Sequence, residues 1–386
     1  MTTMRLDARQ ARGVLKCAVR LLAASVLAAS AWSCAPTLPR PYLEAQAAAE
    51  RAYGAGRYEE AARQYHEAAA HASRTRDRDE MLFLEASAEQ RAGRTREARE
   101  AYEALEKLSP DGPRAARSAY EVAQLEIAHG DEERGYKMIE SVMRRYPKSG
   151  LERRAMQRYV SHLDDKQGVA AGLAYLRASF AWFNANGLGE AATYDIADHL
   201  ERMGQLAEAR DTFVRCAAEH PYPDGALWDD SLFRASLLDE KLGDPKSAIA
   251  RLDTMLKERE VSTFSGSYER PRYSQAQMRK AVLYRDALHD HAAARREFRR
   301  LFDDFTTSLL RDDALWAEAK LAAQDGDTSE ACSTMKLLAD KIPDSRYVPC
   351  ASLVCPKLGA SEPPGSCRRY IEKDFERSQS AKDTAP

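Results

Sequence analysis

The chain has 386 residues, 44% hydrophobic and 31% charged, enough to bury a core and too apolar for a disordered chain. Lysine plus arginine (58) nearly equals aspartate plus glutamate (60), a net charge of −2. So balanced a charge sets up no strong field, which argues against nucleic acid or an anionic surface as the main partner.

The first twenty residues carry five basic groups and one acidic, and residues 21–32, LLAASVLAASAW, form an apolar run that ends in small residues. That run is too short to cross a bilayer as a mature helix and suits a secretory signal over 1–33. Cys34 follows, ahead of three prolines in APTLPRP. Here the chain resembles a bacterial lipoprotein, with Cys34 as the lipidation site and 34–41 as a short tether. Ordinary cleavage after a small-residue site, giving a soluble periplasmic protein, is the alternative. Ala35 stands where inner-membrane lipoproteins of this kind carry aspartate, so the resemblance implies the outer membrane.

From Tyr42 to about Ser345 apolar residues recur three and four apart, a helical period throughout. Turn glycines at 56, 93, 130, 204, 243 and 326, with further turns at Gly168 and His289, divide this region into eight units. Small residues lie seven before the turn (Ala49, Ala86, Ala123, Ala197, Ser236, Ala319) and five after it (Ala61, Ala98, Gly135, Ala209, Ala248, Ala294, Ala331). Two antiparallel helices can approach closely at such places. Nine after the turn come Tyr65, Tyr102, Ile139, Phe213, Leu252, Phe298 and Met335 as fillers, and seventeen after it Pro110, Pro147, Pro221 and Pro343 as stops.

GRYEEAARQYHEA (56–68) and GQLAEARDTFVRCAAEHP (204–221) resemble the second helix of the tetratricopeptide repeat. The resemblance spans about 300 residues and implies an all-α, right-handed superhelical solenoid of about eight helical hairpins over 42–345. The fourth unit fits least well, and Val282 replaces a small residue. Unit ends such as YPKSGLERRAMQRY are similar in style to lipoproteins of outer-membrane-protein assembly and cell-division coordination.

In such a solenoid the first helix of each unit lines a groove. Ten residues before the turn stand Gln46, Phe83, Tyr120, Tyr194, Phe233, Arg279 and Trp316, mostly aromatic. They read either as a partner-binding stripe or as padding between helices. Gln124, Asp198, Glu201 and Glu240, about one turn away, would give a groove its polar handles. The segment 257–274, with Phe264, Tyr268 and Tyr273, reads as a plain surface loop or a recognition loop.

No phosphate loop, HExxH, GxSxG or dinucleotide turn is present, and the expectation is a protein that is not an enzyme, with no cofactor, no metal and no small-molecule substrate. His289 and His291 could share a metal, but two imidazoles on a turn suit capping or solvent better. A soluble lytic transglycosylase would need a further catalytic domain, for which the forty residues after the eighth unit are too few.

Cys216 sits where other units carry Ala68, Leu105 or Val142, as a buried small hydrophobe. Cys332, Cys350, Cys355 and Cys367 fall in or beside a proline-rich end and, in an exported chain, favour two disulfides over a zinc site. The pairing expected is Cys332 with Cys350 and Cys355 with Cys367, cross-linking a C-terminal cap over 346–378 ahead of a disordered tail, 379–386.

Together these readings describe a membrane-tethered periplasmic scaffold for periplasmic or outer-membrane proteins. The alternative is an accessory or glycan-binding module of a peptidoglycan enzyme.

Overall fold

The structure is a computed structural model and describes residues 38–258, 272–358 and 367–383, side chains to 377. The signal, Cys34, Phe264 and Tyr268 lie outside the described residues. Among those residues there are α-helices and two 3-10 turns, with no strand. In chain order they are α1 (Arg40–Gly54), α2 (Tyr58–Ala70), α3 (Thr75–Arg91), α4 (Thr95–Leu108), α5 (Ala115–His129), α6 (Glu132–Arg145), α7 (Glu152–Gln167) and α8 (Val169–Ala185). There follow α9 (Gly189–Arg202), α10 (Leu206–Glu219), α11 (Trp228–Lys241), α12 (Pro245–Lys257), α13 (Arg272–Asp286), α14 (His291–Asp304), α15 (Arg311–Gln324) and α16 (Thr328–Lys341). A short α17 (Ala351–Val354) and α18 (Arg369–Asp383) end the chain. All eight expected turns separate the two helices of a hairpin, α1–α2 through α15–α16. The described residues fall into two compact units, divided between Tyr159 and Val160 within α7.

The periodic residues do what their sizes allow. Seven before the turn, Ala49, Ala86, Ala123, Ala197 and Ala319 are fully buried, and five after it so are Ala61, Ala98, Ala209, Ala248, Ala294 and Ala331. At Gly135 of the third hairpin a Cβ would come within 2.5 Å of Ile127 Cγ1 and 2.7 Å of Ile127 N, so only glycine fits. The fillers Tyr102, Ile139, Phe213, Leu252, Phe298 and Met335 are buried with them, and so is Cys216, whose thiol burial pushes up to about 11. Each stop proline stands two residues past its helix, where it has no intrahelical bond to break.

The fourth hairpin departs for a visible reason. Its second helix, α8, ends at Asn186 and Gly187, the glycine at φ +77° and the Asn186 side-chain amide donating to the Trp182 carbonyl at 2.8 Å. No proline turn is used there. In the seventh hairpin His289 itself takes the left-handed conformation, φ +52°, that glycine takes at 56, 93, 204, 243 and 326. Asp131, Asp244, Asp290 and Asp327, each next after the turn residue, cap the second helix by accepting a backbone N–H three residues on.

The C-terminal end corrects the expected disulfide pairing. The bridges are Cys332–Cys355 and Cys350–Cys367, each with Cα atoms 4.8 Å apart. The cause is the helical turn of 348–354, which packs on α16 and brings Cys355, rather than Cys350, back over Cys332. Cys350 then faces Cys367, at the start of α18.

Candidate partner-binding face

Three of the five aromatic side chains expected to line a groove are core. Tyr120 is 1% exposed, Phe233 8% and Trp316 5%, Trp316 stacking on Tyr347 with centroids 5.0 Å apart. Phe83 and Tyr194 are half-buried. Phe83 leans on Tyr102 (5.4 Å) under the Arg114 guanidinium, 4.7 Å above its ring, and Tyr194 meets Phe213 edge-on at 5.1 Å. The stripe is corrected for Tyr120, Phe233 and Trp316, which packing within and between hairpins places in the core. Tyr273 is likewise buried, at the start of α13, and donates to the Glu258 carbonyl at 3.3 Å.

The polar positions remain at the surface. In unit 1 the Gln124 amide donates to Glu121 (2.9 Å) and its carbonyl oxygen accepts from Arg158 (3.1 Å). In unit 2 the first helices are joined by a row of ion pairs. Arg234 of α11 donates to Asp198 (2.9 Å) and Glu201 (2.7 Å) of α9, and Lys241 reaches Glu201 at 2.7 Å. Arg279 of α13 grips Glu240 of α11 with two donors. Each pair links an acid on one first helix to a base on the next.

Charge here is held in place by its neighbours. Burial opposes the charge on Arg234, yet the Glu201 and Asp198 carboxylates hold its pKa above the usual range. Burial would push Glu201 up, but hydrogen bonds from Lys241 and Arg234 outweigh it and the net direction is down. Burial and the Asp230 carboxylate raise the Tyr194 phenol, which donates to that carboxylate. Asp230 also accepts from Arg272 at 2.7 Å, and that guanidinium lies 5.3 Å from the Phe233 ring centre.

A second set of acids passed unnoticed in the sequence. Fourteen residues before their turns, Asp79, Glu190 and Asp312 receive the segment that follows the second helix of their hairpin. Ser109 Oγ donates to Asp79 (3.1 Å), Leu227 N to Glu190 (2.6 Å) and Ser345 Oγ to Asp312 (2.9 Å). The regular offset was the signal that could have found them.

His291 pairs with Asp325 at 2.5 Å, and among the described residues no group of three or more His, Cys, Asp or Glu side chains is placed to hold a metal. No described helix is long and apolar enough to cross a membrane.

A tetratricopeptide repeat family model matches residues 47–113 and 83–135. No curated protein matches the sequence. Among solved structures, a tetratricopeptide repeat protein from Parabacteroides merdae is 17% identical over 60% of this chain and 77% of its own, with a TM-score of 0.38. The apo form of RapI is 13% identical over 89% and 99%, with a TM-score of 0.40. A signal-transduction ATPase with numerous domains, carrying a tetratricopeptide repeat sensor and from Pyrococcus horikoshii, is 11% identical over 83% of this chain and 52% of its own, with a TM-score of 0.41. The conclusion is an all-α array among the described residues in which 47–135 match the tetratricopeptide repeat, a fold suited to binding other proteins, and helical hairpins of the same plan continue after them to Lys341.

Proposed function

We propose that this protein is a non-enzymatic scaffold, tethered by a lipidated Cys34 to the periplasmic face of a bacterial outer membrane, that binds protein partners in envelope or outer-membrane complex assembly. The observation that carries the binding half is the row of half-exposed ion pairs along consecutive first helices of unit 2, from Asp198 and Glu201 to Arg279. Such a row sets a fixed pattern of charge on a rigid face, which selects a partner more than it adds raw affinity. The exported half rests on the apolar run before Cys34 and agrees with two disulfides near the C-terminus, since such bridges persist in oxidising compartments.

The test is cross-linking and pulldown from cells making the full chain, the Cys34→Ser variant, and the Arg234→Glu, Lys241→Glu variant. The full chain should fractionate with membrane and recover envelope proteins. Cys34→Ser should move to the soluble fraction, and the charge-reversed chain should lose at least tenfold of its captured partners while staying helical. Retention of Cys34→Ser in the membrane, or undiminished capture by the charge-reversed chain, overturns the corresponding half.

A further inference from the structure

The last rung of the ion-pair row breaks the pattern of the others. Lys320 of α15 lies six residues before its turn, the position Asp198 holds on α9. Arg234, Lys241 and Arg279 each pair with the preceding first helix, whereas Lys320 pairs at 2.8 Å with Asp374 of the C-terminal helix α18. Asp286, which α13 offers near Lys320, is instead bonded by its neighbour Arg285.

Helix α18 fits this place as a ligand would. Its Ile371 is 2% exposed in a cluster with Leu315, Trp316 and Ala319 of α15, and Phe375, four residues on, packs against the same cluster. An apolar pair at i and i+4 with a carboxylate between them puts all three on one helical face. The Lys320 side chain is 15% exposed and ends on Asp374, and the Arg285 charge acts on the same carboxyl, which the Lys320 hydrogen bond holds below the usual range. Covalently, α18 is secured at its start by Cys350–Cys367.

We propose that the first-helix face of the last hairpin is a docking site for an amphipathic helix of a partner protein that carries a carboxylate beside its apolar pair, and that α18 is its displaceable occupant. This rests on the reading of unit 2 as the partner-binding face and adds the chemistry of what binds there: two large apolar side chains four apart, with a carboxylate next to the second. While Cys350–Cys367 is intact α18 competes at high effective concentration, so an incoming helix must displace a tethered one.

The test uses the full chain and a labelled peptide of residues 367–383 with serine at 367, which requires no envelope partner and so can fail independently of the proposed function. In the Ile371→Asp, Phe375→Asp variant α18 is released and the peptide should bind at least tenfold more tightly than to the native chain. Adding Lys320→Glu should remove at least tenfold of that affinity, and a peptide with Asp374→Lys should recover it. Equal binding by the native and released chains, or binding indifferent to Lys320→Glu, overturns the proposal. Should the released variant fail to fold, hydrogen exchange on the Cys350→Ser, Cys367→Ser chain decides: α18 amides should exchange at least tenfold faster with α15 protection kept, and unchanged protection of α18 overturns it.

Discussion

Tyr120 and Tyr194 stand at one position of the repeat, ten residues before the turn, and differ in what their hydroxyls meet. Tyr194 donates to Asp230, while the buried Tyr120 hydroxyl has no hydrogen-bond partner among the described residues. A hydrogen bond to a charged group contributes about 1.5–3 kcal/mol, and a buried group without a partner forgoes that gain while still losing its water. Tyr194→Phe should therefore destabilise by about 1.5–3 kcal/mol in urea unfolding, whereas Tyr120→Phe should be neutral or stabilise by about 1 kcal/mol. Equal effects for the two would show that the bond to Asp230 adds nothing to what the unbonded Tyr120 hydroxyl contributes. The ring identities were legible in the sequence, because a large side chain every repeat shows up as a period. Which rings keep a face to solvent was not, since that depends on the arginines of the following segment, Arg114 over Phe83 and Arg272 over Phe233.

At the level of the helix, the hairpin is a local device, and this is why its boundaries could be read from glycines, alanines and prolines. Each of those residues acts on chain neighbours within about one turn. His289 is the test of that claim, because it holds φ +52° where other hairpins use glycine, and its side chain is exposed. A non-glycine residue pays roughly 1–2 kcal/mol for that conformation, partly offset by the entropy glycine loses on folding. His289→Gly should stabilise the chain by about 0.5–1 kcal/mol, seen as a higher urea midpoint at unchanged slope. A lower midpoint would mean that the imidazole makes a contribution of its own. The disulfide pairing, by contrast, was missed because it depends on the packing of the 348–354 turn against α16, a tertiary choice with no periodic trace in the sequence.

Over the whole chain, a repeat array couples each hairpin to its neighbours, so a local loss fades with distance along the chain. Bridges closing 23 and 17 residues contribute about 3 kcal/mol each in the chain-entropy account. Complete reduction should accelerate amide exchange in α15 and α16 by at least tenfold and leave α1 and α2 unchanged. Uniform acceleration would show that the array unfolds as one block. Three acids, each standing fourteen residues before one of the eight turns, carry a last consequence. Asp79, Glu190 and Asp312 each stand on a first helix, and their donors lie further along the chain, after the second helix of the same hairpin. A chain that emerges from its N-terminus, whether from the ribosome or through a secretion channel, thus presents a finished acceptor before the donor arrives. Each of these bonds can close only once both helices of its hairpin are out, so it fastens a completed hairpin rather than guiding a half-formed one.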